Sequence, residues 1–141
     1  MSVRRPPSIR WFERIVYVNQ LVALAVTYAA WVAVRGIVDP SHAPLRFMFY
    51  ILAVIIAINL LLMWLIAYRA SNVARWILVV LIGLSFLSLA NIPAFLAFGR
   101  TYFALALVQY LLSAISVWLL FRHDARRWFA GDRPVDPEIF S

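Results

Sequence analysis

Few side chains in this sequence could act as nucleophiles, proton carriers or metal ligands. The chain has no cysteine, six acidic residues and two histidines, His42 and His123. Three long apolar segments separate the two histidines, which places them on opposite sides of a membrane if each segment crosses it. A metal site needs three or four converging ligands, and thiolate chemistry needs a cysteine. We therefore expect no catalytic residue, no metal, no cofactor and no enzymatic role.

The polar residues with the most informative placement carry no charge. Five lie near the middle of predicted helices: Asn59, Ser85, Ser88, Gln109 and Ser113. One interpretation is packing, in which amides and hydroxyls form hydrogen bonds between helices worth about 0.6 kcal/mol each. The alternative interpretation is a polar cavity for a substrate at the middle of the membrane. Packing is the preferred interpretation at this point.

The elements that must position these residues are membrane helices. The chain is 65% hydrophobic and 13% charged, with a mean hydropathy of +0.88, and this composition excludes an ordinary water-soluble domain. A spanning helix needs about 20 apolar residues. Four segments reach this length without a charged residue or a histidine: 15–34, 47–68, 76–98 and 102–121. The sequence predicts an all-α fold, a single membrane domain over residues 1–141 built as a bundle of four transmembrane helices.

The weakest boundary lies between the third and fourth predicted spans. Pro93 and Gly99 are the helix breakers in this region, and the third span could end anywhere from Ile92 to Phe98. We also expect Ser8 to cap the first helix, and Ser71 or Asn72 to cap the third. After the fourth span, the helix is expected to continue through Phe129 and to stop at Gly131.

The distribution of arginine predicts the orientation of the bundle. All 13 basic residues are arginines; ten flank the spans on the side of both termini and three on the other side. By the positive-inside rule both termini, and with them the tail 122–141, are expected to be cytoplasmic. Because topology and anionic lipid headgroups account for these arginines, we expect membrane lipids as partners and no nucleic acid. Arginine without lysine is typical of a GC-rich genome and favours a bacterial source.

Two further sets of residues are predicted to mediate contacts. Arginine–tryptophan pairs at the expected cytoplasmic surface are predicted to anchor the chain at the lipid interface: Arg10 and Trp11, Arg75 and Trp76, Arg127 and Trp128. Small residues at intervals of four, Ala25, Ala29 and Ala33, form a candidate helix-packing face opposite the polar stripe of Gln20 and Thr27. This face could contact another helix of the bundle or a second chain.

Two stretches carry a resemblance to a known group of proteins. They are RASNVARW at residues 69–76 and FRHDARRWF at residues 121–129. Together they resemble uncharacterised small four-helix bacterial inner-membrane proteins. The resemblance implies a location in the bacterial cell inner membrane, and it implies no activity.

Two functional hypotheses follow from these observations. The preferred one is a non-enzymatic assembly or accessory role, with the chain forming a homo-oligomer or joining a larger membrane complex. It depends on the absence of charged groups from the predicted spans, since ion and proton pathways use such groups. The alternative is a small transporter or channel subunit for a neutral or lipophilic substrate, which could use Asn59, Gln109 and Ser113 without any charge.

Overall fold

Four long apolar helices dominate the structure, a computed structural model. It describes residues 5–35 and 43–130, without the side chains of residues 43–46, 48, 91, 94 and 95. His42, Gly131 and the rest of the tail to residue 141 therefore lie outside the described residues. Within the described ranges the helices are α1 Pro7–Val34, α2 Ala43–Arg69, α3 Asn72–Phe86, α4 Ile92–Ala97, α5 Arg100–Leu120 and α6 His123–Ala130, with a 3-10 segment at Leu87–Asn91.

The prediction of an all-α chain with four membrane-length helices is confirmed. The segments long and apolar enough to cross a membrane are Pro7–Val34, Phe49–Arg69, Asn72–Ala90 and Arg100–Leu120. The chain is therefore a multi-pass membrane protein in architecture. The first helix begins earlier than the predicted span, so it includes the charged residues Arg10, Glu13 and Arg14 in its first two turns.

The third span differs from its predicted extent because its helix changes type. Regular α-helix ends at Phe86 and a 3-10 segment follows. The Ser85 hydroxyl donates to the carbonyl of Ile82, and the Ser88 hydroxyl donates to the carbonyl of Ser85. Such bonds compete with the helical ladder, and Pro93 has no N–H to offer to the turn before it. The chain then reverses at Gly99, whose φ of 97° suits a residue without a side chain.

Two predictions about helix ends need correction and one is confirmed. Ser8 does not cap α1, because the helix starts at Pro7, where a missing N–H costs nothing. Ser71 caps α3, since its hydroxyl accepts a hydrogen bond from the Ala74 N–H at 3.2 Å. The fourth span does not continue as one helix to Phe129; it ends at Leu120, and the separate helix α6 begins at His123.

Helix α6 turns away because it packs across the start of α1. The Ser8 N–H donates to Oδ2 of Asp124 at 3.1 Å, and the Trp128 indole N–H donates to the Ile66 carbonyl at 3.4 Å. Burial of Ala125 and Trp128 adds apolar contact to these bonds. These interactions replace the straight continuation that helix propensity alone would give.

The main hydrophobic core lies at one end of the bundle, which we call the basic end. This end holds the start of α1, the connection between α2 and α3, and the junction of α5 with α6. Its buried side chains come from all five of these helices: Ile9, Phe12, Val16, Leu62, Met63, Ile66, Ala67, Ala74, Leu78, Leu119, Leu120, Ala125 and Trp128. We call the opposite end the far end; there α2 and α3 bury few described side chains.

Candidate functional site

A cavity of about 410 Å³ opens between the four long helices. The helices contact one another in the cyclic order α1, α2, α3, α5, and the most extensive contact joins α1 and α5. Residues 16–27 of α1, 52–59 of α2, 78–85 of α3 and 109–116 of α5 contribute to its wall. These stretches lie near the middle of the candidate membrane spans. The cavity is therefore an intramembrane site, beyond the densely packed core at the basic end.

The wall of the cavity combines aliphatic side chains with uncharged polar ones. Polar groups from all four helices contribute to it: Asn19, Gln20, Thr27, Asn59, Ser85, Gln109, Ser113 and Ser116. None of these groups is ionisable in the physiological range. Ligand pockets in proteins are mostly apolar with a few polar groups that orient the ligand. The composition of this wall fits a neutral molecule and offers no counter-charge to an ion.

One hydrogen bond crosses the cavity wall between α1 and α5. Asn19 Nδ2 donates to the Ser113 hydroxyl oxygen at 3.3 Å, and that hydroxyl donates to the Gln109 carbonyl at 2.9 Å. The other side-chain oxygen of the amide, Asn19 Oδ1, is buried and has no hydrogen-bond partner. An unpaired buried acceptor costs about 1–3 kcal/mol. A ligand that donates an O–H or N–H to this atom would remove that cost.

The other hydroxyls of the wall, and the amide of Asn59, donate hydrogen bonds to carbonyls of their own helices. Thr27 donates to the Ala23 carbonyl and Ser116 to the Leu112 carbonyl, both at 2.9 Å. Ser85 donates to its own helix at 2.7 Å, and Asn59 Nδ2 donates to the Ile55 carbonyl at 2.9 Å. A hydroxyl that donates to a carbonyl of its own helix still has oxygen lone pairs that can accept further hydrogen bonds. The described hydroxyls therefore face the cavity as acceptors more than as donors.

The structure brings together most of the polar residues that the sequence singled out. Asn59, Ser85, Gln109 and Ser113 line the cavity, while Ser88 lies outside it with its hydroxyl 3.0 Å from the Tyr110 hydroxyl. The cavity also includes Asn19, which the sequence interpretation left out. Asn19 satisfies the same criterion as the others, because it is an amide in the middle part of a long apolar helix.

The predicted interface anchors occupy different environments. Arg10, Trp11, Trp76 and Arg127 are exposed, whereas Arg75 is half-buried and Trp128 is only 8% exposed. Trp128 thus belongs to the core at the basic end, which differs from the lipid-facing position expected for it. The three alanines of the candidate packing face, Ala25, Ala29 and Ala33, are each half-buried.

Among the described residues, no group of three or more His, Cys, Asp and Glu side chains converges. No family model, curated protein or solved structure matches the chain. The small four-helix architecture agrees with the resemblance seen in the sequence, and no family is identified. We therefore infer function from the chemistry of the site.

Proposed function

We propose that this membrane protein binds a small neutral or lipophilic molecule between its helices and acts as a small transporter or channel subunit. The observation that carries the proposal is the 410 Å³ cavity with polar groups from all four long helices. Packing alone would pair these groups with one another, but among the described cavity residues only Asn19 and Ser113 join two helices through their side chains; the other bond between helices is the one that the Ser85 carbonyl accepts from Tyr110. The cavity thus favours the alternative that the sequence ranked second. The proposal includes no enzymatic step.

Binding can be tested with a neutral amphiphilic alcohol that carries a photoreactive diazirine, such as a diazirinyl octanol. The full chain is reconstituted in liposomes and irradiated, and adducts are located by mass spectrometry of its peptides. We expect adducts to concentrate on the cavity-lining parts of α1 and α5. Gln109→Leu should reduce them at least severalfold, since it removes a polar group from the wall. Ser113→Ala should also reduce them, and Ser88→Ala, which removes a hydroxyl outside the cavity, is its matched control.

Transport is tested separately by glycerol flux into the same proteoliposomes, followed by stopped-flow light scattering. Flux above that of protein-free liposomes, reduced in Gln109→Leu but kept in Ser88→Ala, is the expected result. Adducts spread evenly over the lipid-facing surface would contradict binding in the cavity. Adducts in the cavity without flux would contradict transport of small neutral solutes and leave a binding role.

The second candidate function is an accessory role in a larger assembly. At the far end, α2 exposes large apolar side chains such as Phe49, Tyr50 and Val54, which lie against lipid unless another helix covers them. A second copy of the chain or another membrane protein could cover them. Affinity purification in mild detergent, with mass spectrometry and light scattering, would identify a stoichiometric partner. Ala29→Ile should then weaken self-association if the alanine face is used; a monomeric chain without a partner would exclude this role.

A further inference from the structure

A second pocket lies at the basic end, between the start of α3 and helix α6. It has a volume of about 400 Å³ and is lined by Asn72, Arg75, Phe121, Arg126, Phe129 and Ala130. Two arginines therefore face one pocket whose other described walls are an amide, two aromatic rings and an alanine. The midplane cavity shares none of these residues, so this pocket is independent of the proposed function.

Arg75 is held in place by aromatic rings. The central carbon of its guanidinium lies 4.7 Å from the ring centre of Phe129 and 5.1 Å from that of Phe121. A guanidinium stacked between rings is fixed in orientation and keeps its N–H groups available at its edge. Its Nε is buried and has no hydrogen-bond partner. Leaving a charged donor unpaired in this way is costly unless an acceptor enters the pocket.

Neither arginine of the pocket has a carboxylate partner among the described residues. Arg126 adds a second positive charge, and the two guanidinium groups repel each other. The carboxylates that the structure describes are engaged elsewhere. Glu13 pairs with Arg5 at 2.9 Å and accepts a hydrogen bond from Tyr68, while Asp124 accepts from Ser8. An anion in the pocket would relieve the repulsion and supply acceptors to both arginines.

The position of the pocket indicates which anion it meets. Arg75 lies in the first turn of α3, at the end of a candidate membrane span, and the neighbouring Trp76 is exposed. This is the level at which aromatic rings and lipid phosphates meet in a bilayer. Guanidinium groups bind phosphate oxygens through paired, charge-assisted hydrogen bonds. We propose that Arg75 and Arg126 form a binding site for a phosphate group, supplied by a phospholipid headgroup or by free phosphate.

The test compares two arginines that are neighbours on α6. Arg126 lines the pocket, whereas Arg127 does not, and both are exposed. Binding of dihexanoyl phosphatidic acid and of inorganic phosphate to the purified full chain is measured by isothermal titration calorimetry. We expect Arg126→Gln to weaken binding about tenfold, the effect of losing one charge-assisted hydrogen bond, and Arg127→Gln to change it less than twofold. Arg75→Lys should also weaken it, since a lysine keeps the charge but loses the stacked guanidinium.

The outcomes distinguish the sources of the phosphate. Saturable binding of the lipid alone would assign the pocket to headgroups, and equal binding of inorganic phosphate would assign it to a free anion. Equal weakening by Arg126→Gln and Arg127→Gln would overturn the site in favour of a diffuse basic surface. Absence of saturable binding of both probes would overturn it as well. Because Arg126 is exposed on a short surface helix, its replacement leaves the core at the basic end intact.

Discussion

Trp128 belongs to the core at the basic end because helix α6 packs it against α2. Its indole N–H donates to the Ile66 carbonyl near the end of α2, and its ring is buried. Trp128→Phe removes this bond and leaves a smaller side chain, so we expect a loss of about 1–2 kcal/mol in the free energy of unfolding. Trp118→Phe is the matched control, since Trp118 is 61% exposed. Thermal unfolding of both variants in detergent, followed by circular dichroism, should show a lower midpoint for Trp128→Phe only.

We expect the attachment of α6 to α1 to depend on pH through Asp124. Partial burial raises the pKa of Asp124, but hydrogen bonds from Ser8 and from the N–H groups of Asp124 and Ala125 lower it by more, so it lies below its ordinary value. A lowered pKa means that the stabilisation is present above about pH 3.9 and is lost as the pH falls through the folded-state value.

The matching variant is Asp124→Asn, which keeps the size of the side chain and removes its charge. Because a third of the Asp124 side chain is exposed, we expect the variant to lose only about 0.5–1 kcal/mol at pH 7. The difference in melting temperature between the two proteins should shrink as the pH falls from 6 toward 3. A difference that stays constant over this range would contradict the role given to the carboxylate.

At the scale of the helices, hydropathy predicts well which segments form helices and predicts poorly where each helix begins and ends. Each long apolar segment forms a helix, because the membrane leaves the backbone of such a segment no other partner for its hydrogen bonds. The ends depend on local competition instead. The serines before Pro93 convert the end of α3 into a 3-10 segment, and contacts with α1 turn α6 away from α5. Neither effect is visible in a hydropathy pattern.

The connection between α2 and α3 contains an alanine in an unfavourable backbone conformation. Ala70 has a φ of 50°, in the left-handed region that favours glycine, and Ser71 N–H donates to the Leu65 carbonyl beside it. Ala70→Gly should therefore stabilise the protein by about 1 kcal/mol. The same replacement at the exposed Ala114, within α5, should destabilise it by about 1 kcal/mol. Thermal unfolding in one detergent compares the two; a loss of stability in Ala70→Gly would show that the methyl group matters more than the strain.

At the scale of the whole molecule, the sequence predicts how deep a residue lies in the membrane better than it predicts which residues that residue contacts. Asn59, Gln109 and Ser113 were singled out because they lie mid-span, and they meet at one cavity. Ser88 lies in the 3-10 segment near the end of the third candidate span, where its hydroxyl faces that of Tyr110, and Asn19 completes the cavity through its bond to Ser113. Which helix faces meet depends on how each of the four helices is rotated about its own axis when they pack together. The sequence of a single segment does not determine that rotation.

The orientation of the bundle in the membrane can be tested directly. The structure places the start of α1, the connection between α2 and α3, and α6 at the basic end, which holds most of the arginines. The described arginine side chains at the far end are Arg35 and Arg100. Such asymmetry orients membrane proteins with the basic side in the cytoplasm. We therefore expect Asn72 to lie on the cytoplasmic side and Thr101 to lie on the opposite side.

The absence of cysteine makes the chain suitable for single-cysteine labelling. Thr101→Cys should react with a membrane-impermeant maleimide in intact cells, whereas Asn72→Cys should react only in inverted membrane vesicles. A permeant maleimide serves as the control for reactivity, and the unchanged chain gives the background. The reverse pattern would contradict the orientation while keeping the fold. Labelling of both positions from one side would contradict a membrane crossing between them. Asn72 begins the third span, and Thr101 follows the turn that joins this span to α5.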